Sequence, residues 1–234
     1  MVGRLVALIL AGGLAASPAF GQCRLALALA LDISSSVDDA EDKLQRQGLA
    51  NALISDEVRA AILSESGQAV ALAVFEWSGR YQQDMIVDWR VLSSEADIFL
   101  TAEEIRSSRR SYSDFPTALG YALGYAAGVL ADAPLCLFQT LDVSGDGVNN
   151  EGFKPYLAYL NFPLSEVTVN GLAIGGSAED LAGYYRRELI KGPGAFVEEA
   201  TDFADFERAM RRKLVRELET RAIGMAPFSG PKGG

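Results

Sequence analysis

The sequence predicts an α/β fold: a doubly wound, mainly parallel sheet of strand order 3-2-1-4-5-6, with helices on both faces and one antiparallel edge strand. Three observations predict it. Short apolar runs alternate along the chain with segments whose apolar residues recur at helical spacing, the pattern of a parallel sheet covered on both sides. Two of those runs stop abruptly at acidic turns, one at Asp32 and one at Asp146. The clearest helical segment, Asp114 to Ala131, is rich in small residues and can lie close against a sheet. In a doubly wound sheet the ligand crevice opens at the carboxyl ends of the strands where the winding reverses, here between the first and fourth strands. The two acidic turns are therefore expected to meet.

The opening residues, MVGRLVALILAGGLAASPAFGQ, stand apart from this pattern. Arg4 gives a positive start, Leu5 to Ala16 an apolar centre, and Ala19-Phe20-Gly21 a small-x-small cleavage site, which is the plan of a secretory signal peptide over residues 1–21. The apolar part is too short to span a bilayer comfortably. Gln22 occupies the place where lipid attachment to Cys23 wants a small residue, so no lipoprotein is expected. Residues 22–223 read as one domain, and residues 224–234, rich in Gly and Pro, as a disordered tail. No other stretch is apolar and long enough for a span, so the mature chain is expected to be exported, periplasmic or secreted.

The first strand, LALALALD over Leu25 to Asp32, consists of residues that on propensity alone favour a helix. Beyond it, Asp32, Ser34 and Ser36 stand at alternate positions, which in an extended segment point the same way. One carboxylate and two hydroxyls are hard oxygen ligands, suited to Mg²⁺, Mn²⁺ or Ca²⁺ rather than zinc or copper. Asp and Ser also cap helices, and this stretch alone leaves both readings open. Val37 to Leu53 follows as a helix with Asp38, Asp39, Glu41 and Asp42 at its N-terminus, and Asp56 to Leu63 as a second, closed by a Ser66-Gly67 turn. Ala69 to Trp77 is a core strand, and Tyr81 to Val91 alternates as an antiparallel edge strand.

Ala96 to Ser107 and Asp114 to Ala131 are helices, Asp114 capping the second. Leu135 to Val143 is a strand running into the Ser144-Gly145-Asp146-Gly147 turn. Phe153 to Leu160 is helical, Val167 to Ile174 a strand, Ala178 to Ile190 a helix, and Ala195 to Val197 a short strand. Phe203 to Arg221 closes the fold as an amphipathic helix. Trp77 and Trp89 read as packing residues, and Glu198, Glu199 and Asp202 as a solvated surface.

Composition removes several function classes. Formal charge is −10, and loss of the leader removes Arg4 and no acid. Such a chain is repelled by nucleic acid and by anionic lipid. It contains no histidine, which excludes Ser-His-Asp and Cys-His catalysis and His-ligated metal sites.

The motifs together resemble a von Willebrand factor A-type domain, whose metal-ion-dependent adhesion site is built from three loops. D-x-S-x-S of the first loop matches Asp32, Ser34 and Ser36, and D-G of the third matches Asp146-Gly147 within DGVNN. The second loop offers a Thr several residues before an A-L pair. Ser113, six residues before Leu119, takes that place, and Thr117 offers a rival alignment with Leu123 as the marker. The resemblance runs from about Arg24 to Arg221. EWSG at Glu76 to Gly79, DVSGDG at Asp142 to Gly147 and GPGAF at Gly192 to Phe196 are similar to a bacterial family of exported A-type domains of unknown function.

The resemblance implies a Mg²⁺ site (or Mn²⁺ or Ca²⁺) whose open position is completed by an Asp or Glu of a partner protein. Asp142, inside its strand, reads as a structural acid and not a ligand. If both acidic turns sit at one end of adjacent parallel strands, Cys23 and Cys136 lie at nearly equal depth at the other end. An exported chain then favours a disulfide between them. The competing functions are a metal-free assembly subunit and a metal-dependent phosphohydrolase of the dehalogenase type. The latter needs a second acid two residues after Asp32, where Ser34 stands, and a lysine near the site. No catalytic residue is expected.

Overall fold

The computed structural model describes residues 23–64, 68–175 and 180–223. The leader, the Ser66-Gly67 turn and the C-terminal tail expected from the sequence lie outside the described residues. The strands are β1 (Cys23–Asp32), β2 (Val70–Trp77), β3 (Gln83–Leu92), β4 (Cys136–Gly145), β5 (Val167–Ile174) and β6 (Val197–Ala200). They form one sheet in the order β3-β2-β1-β4-β5-β6. Every neighbouring pair is parallel except β2 with β3, so the predicted order and its antiparallel edge both hold.

The helices are α1 (Asp39–Leu53), α2 (Asp56–Leu63), α3 (Glu95–Ser107), α4 (Leu119–Ala131), α5 (Pro155–Asn161), α6 (Leu181–Tyr184) and α7 (Phe206–Ile223). They cover the two faces of the sheet. On one side Leu25, Leu27, Leu29 and Leu31 of β1 pack in a cluster with residues of α1, α2, α3 and α7. On the other, Ala28 and Ala30 pack with α4, α5 and α6. The Leu-Ala alternation therefore has a period of two and a division of labour: bulk faces the thicker helical layer, and methyl groups face α4. Tertiary burial on both faces overrides the helix propensity of the individual residues.

Several boundaries depart from expectation, β4 among them, which runs on through Ser144 and Gly145. Helix α4 starts at Leu119, not at Asp114, and its N-cap residue is Ala118, so Asp114 does not cap it. The Gly120 N–H is satisfied instead by Oδ1 of Asn149. The expected helix up to Ile190 is a four-residue α6 that passes at Tyr185–Leu189 into a π-helical segment. Strand β6 pairs later than expected, Gly171 opposite Val197 through Ile174 opposite Ala200. The last helix is preceded by a 3-10 turn at Phe203–Asp205, for which Asp202 is the N-cap. Trp77 is fully buried, and the Trp89 indole N–H donates to the Val129 carbonyl at 2.8 Å.

Cys23 and Cys136 lie directly opposite in the β1–β4 register and are joined by a disulfide, with Cα atoms 4.4 Å apart. The bond ties together the two strands that end in Asp32 and Asp146. It spans 113 residues of sequence, and closing so long a loop restricts the unfolded chain by about 4 to 5 kcal/mol in the chain-entropy account. Urea unfolding with and without reductant, beside a Cys23→Ser/Cys136→Ser double variant, is expected to show a loss of about 2 to 5 kcal/mol. Equal midpoints would refute a stabilising role for the bond.

Candidate functional site

The site forms at the carboxyl end of β1. Asp32 is the last residue of that strand and is completely buried. The chain then turns sharply. The Ser34 N–H donates back to Oδ1 of Asp32 at 2.7 Å, and the Val37 N–H to the Ser34 carbonyl at 2.9 Å. Capping of α1 falls to Asp38, whose carboxylate accepts from the Ala40 and Glu41 amides while Glu41 reaches back to the Asp38 N–H. That capping box leaves the Ser34 and Ser36 hydroxyls without helix-capping duty. They lie 3.1 Å apart, and Ser36 donates to Oδ1 of Asp146 at 2.6 Å. Asp32, Ser34, Ser36 and Asp146 are thus one connected set, drawn from two loops 110 residues apart.

The second loop is stitched to both others. The clamp is Arg110, whose guanidinium donates to the carbonyls of Val37 (2.7 Å), Ile33 (2.9 Å), Tyr112 (2.8 Å) and Ser113 (3.3 Å). The Ser35 N–H donates to the Phe115 carbonyl at 2.8 Å. Glu76, buried and ion-paired with Arg46, accepts from the Ser111 N–H at 2.7 Å. The Ala118 N–H donates to the Ser78 carbonyl. Glu76 and Ser78 of the EWSG stretch therefore hold the second loop in place. Thr117 is locked to the third loop: its N–H donates to Oδ1 of Asn150 at 2.9 Å, and its carbonyl accepts from the Asn150 and Glu151 amides.

The two candidate hydroxyls of the second loop differ in setting. Thr117 is buried, and its Oγ1 lies 3.3 Å from the point a Cβ on Gly147 would occupy, against the Asp146-Gly147 turn. Ser113 is exposed and its hydroxyl donates to the Asp114 carboxylate at 2.9 Å. Arg110 carries no motif of its own, and Glu76 lies in the EWSG stretch without any sign there of its bond to the second loop. The two adjacent arginines in SRRSY were the only hint of the clamp.

Electrostatics marks the two carboxylates. Burial, and then the charge of Asp146, push Asp32 up from its ordinary 3.8 to about 7, with the Ser34 hydrogen bonds offsetting part of the rise. Burial likewise pushes Asp146 up, against the hydrogen bond from Ser36. Oδ2 of Asp32 is buried and has no hydrogen-bond partner among the described residues. Among the described residues neither carboxylate pairs with a Lys or Arg. No three Asp, Glu or Cys side chains gather there as a metal cluster; the donor set is two carboxylates and several hydroxyls. Two like charges with hard-oxygen neighbours, the Ser34 and Ser36 hydroxyls among them, fit a divalent cation of the Mg²⁺ type.

The family described as "Protein of unknown function (DUF1194)" matches residues 22–222. No curated protein matches the sequence. Solved structures share the fold at low identity. Proximal thread matrix protein 1 from the mussel byssus, in a structure with a zinc-occupied MIDAS motif, has a TM-score of 0.60 at 16% identity over 85% of this chain and 48% of that one. A von Willebrand factor type A protein from Catenulispora acidiphila gives 0.60 at 16% identity, over 84% of this chain and 43% of that one. The PilB minor pilin from Streptococcus sanguinis gives 0.59 at 14%, over 92% and 65%. The chain thus spans less than two thirds of the length of each. With its three loops in order at the end of a 3-2-1-4-5-6 sheet, this chain has the fold of a von Willebrand factor A-type domain and belongs to the DUF1194 family.

Proposed function

We propose that this protein is an exported, metal-dependent protein-binding module, gripping an acidic side chain of another protein through a divalent cation. The observation that carries the reading is the unbalanced pair Asp32 and Asp146, one of them fully buried, joined through two serine hydroxyls and opposed by no cationic side chain among the described residues. Asp32, Ser34, Ser36 and Asp146 would hold the ion, with a second-loop hydroxyl from Ser113 or Thr117. Mg²⁺ is the first choice, with Mn²⁺ or Ca²⁺ as alternatives, because each accepts all-oxygen ligands and Mg²⁺ readily keeps exchangeable positions. The bound ion would offer such a position to the carboxylate of a partner. The zinc held by the mussel protein's motif and the presence of a minor pilin among the fold relatives support this reading. Export rests on the leader over residues 1–21 and on the disulfide. Among the described residues no helix is long and apolar enough to cross a membrane.

Calorimetric titration of Mg²⁺ and Mn²⁺ into the protein tests the site. Saturable one-site uptake is expected in the wild type and is lost in Asp32→Ala and Asp146→Ala, both of which stay folded. In the same titration Ser113→Ala weakens the ion if that hydroxyl is the second-loop ligand, and Thr117→Ala if the buried one is. Absence of uptake by the wild type would overturn the metal reading.

A further inference from the structure

Behind Asp32, on the side of the sheet covered by α4 to α6, lies a tyrosine that no motif marks. Tyr185 is completely buried and opens the π-helical segment that continues α6. Its ring lies over Gly171 of β5, where a Cβ would come 2.8 Å from the ring carbon Cδ2. Its hydroxyl reaches Gly145, the last residue of β4. A Cβ on Gly145 would stand 2.6 Å from Oη of Tyr185 and 2.7 Å from Oδ2 of Asp32. Glycine at 145 therefore leaves the two oxygens facing each other across the space of one missing methyl.

Both oxygens are buried and have no hydrogen-bond partner among the described residues. A buried hydroxyl and a buried carboxylate oxygen each cost about 1 to 3 kcal/mol when unsatisfied. Here they are a donor and an acceptor, adjacent and sealed from solvent, so each is the natural partner of the other, directly or through one shared water. Packing alone gives no reason for the hydroxyl, since phenylalanine would fill the same space over Gly171. The neighbouring Tyr184 also serves the site's loops: its hydroxyl accepts from the Asn149 N–H at 3.3 Å. Two consecutive tyrosines thus bring their hydroxyls to the first and third loops, and π-helical turns recur at functional sites.

We propose that Tyr185 is a positioning residue of the metal site, its hydroxyl serving as the donor to Oδ2 of Asp32 that fixes the rotation of this carboxylate toward the ion. The assignment rests on the metal reading above. Outer partners of metal-ligating carboxylates orient them, and their loss costs about 10- to 100-fold in metal affinity.

The test compares Mg²⁺ titration of the wild type with Tyr185→Phe, which keeps the ring. Mg²⁺ affinity is expected to fall about 10- to 100-fold, while the melting temperature without metal stays the same or rises. A second readout labels tyrosine with ¹³C at Cζ. One resonance, absent from Tyr185→Phe, is expected to shift when Mg²⁺ is added to the wild type and to stay fixed in Asp32→Asn. Wild-type Mg²⁺ uptake with Tyr185→Phe within twofold of it overturns the positioning role alone, as does a Tyr185 resonance that Mg²⁺ leaves in place. A wild type that takes up neither Mg²⁺ nor Mn²⁺ overturns the metal reading and this role together.

Discussion

Asp32→Asn is expected to make the metal-free protein more stable at pH 8 while abolishing its response to Mg²⁺. The folded-state pKa of Asp32, about 7, lies above its ordinary value of 3.8, chiefly through burial and then through Asp146. The sign follows from proton counting. Between about pH 4 and pH 7 the folded state holds a proton that the unfolded state has released, so stability falls as pH rises through that window. Above pH 7 the folded state carries the full charge, at a cost on the order of a few kcal/mol. Asparagine keeps the shape and removes the charge, so the gain is largest at pH 8 and vanishes below about pH 4. Urea unfolding of both proteins at pH 4 and pH 8, with and without Mg²⁺, measures it. In the wild type Mg²⁺ replaces the proton and restores stability at pH 8, and its affinity weakens as pH drops below 7. Equal stability of the two metal-free proteins at pH 8 would show that Asp32 carries its charge at no expense, and the site would need no cation.

That trade of stability for charge explains which parts of the site were legible in the sequence. Asp32 and Asp146 stand at or beside the ends of β1 and β4, so sheet order brings the two acidic turns together without knowledge of distant contacts. Ser34 and Ser36, by contrast, reach Asp146 through a sharp turn and not through the extended alternation the sequence suggested. The Cys23–Cys136 pairing follows from the same reasoning, because register in parallel strands converts distance from the acid into depth. The start of α4 was not legible. Local preference favours Asp114 as a cap, but Arg110, Ser78 and Asn150 hold residues 110–118 as a loop through bonds between residues 33 to 77 apart. Tyr185 was hidden for a similar reason: its proposed role depends on Gly145 and Gly171, two small residues on neighbouring strands, and on a π-helical turn with no sequence signature. The serines were ambiguous only until Asp38 was seen to do the capping.

A second large effect is expected from Lys213, and it too arises from a contact no local pattern reveals. Its ammonium is fully buried, 2.8 Å from Oδ1 of Asp142 on β4 and 2.7 Å from Oε1 of Glu217 on its own helix. Glu217 also accepts from Nδ2 of Asn170 at 2.6 Å, and the ammonium lies 4.9 Å from the centre of the Phe196 ring. Burial alone would lower the Lys213 pKa, but the two carboxylates carry it above its ordinary value. Burial pushes Asp142 up to about 7, opposed by Lys213 and reinforced by Glu217. Lys213→Met leaves two buried carboxylates facing each other. Removing one partner of a buried pair costs about 3 to 5 kcal/mol, so urea unfolding at pH 8 should show a loss of that size. At pH 5 the loss should shrink, because a carboxyl that has lost its ammonium takes up a proton in the folded state. Adding Asp142→Asn to the same chain removes the repulsion and should recover much of the stability at pH 8. A Lys213→Met protein as stable as the wild type at pH 8 would mean that the ammonium does not anchor α7 to β4. If the loss is seen, the strand that leads into Asp146 is held at its outer end by the disulfide and at its middle by this ion pair, and the proposed metal site stands on a strand fixed at both places.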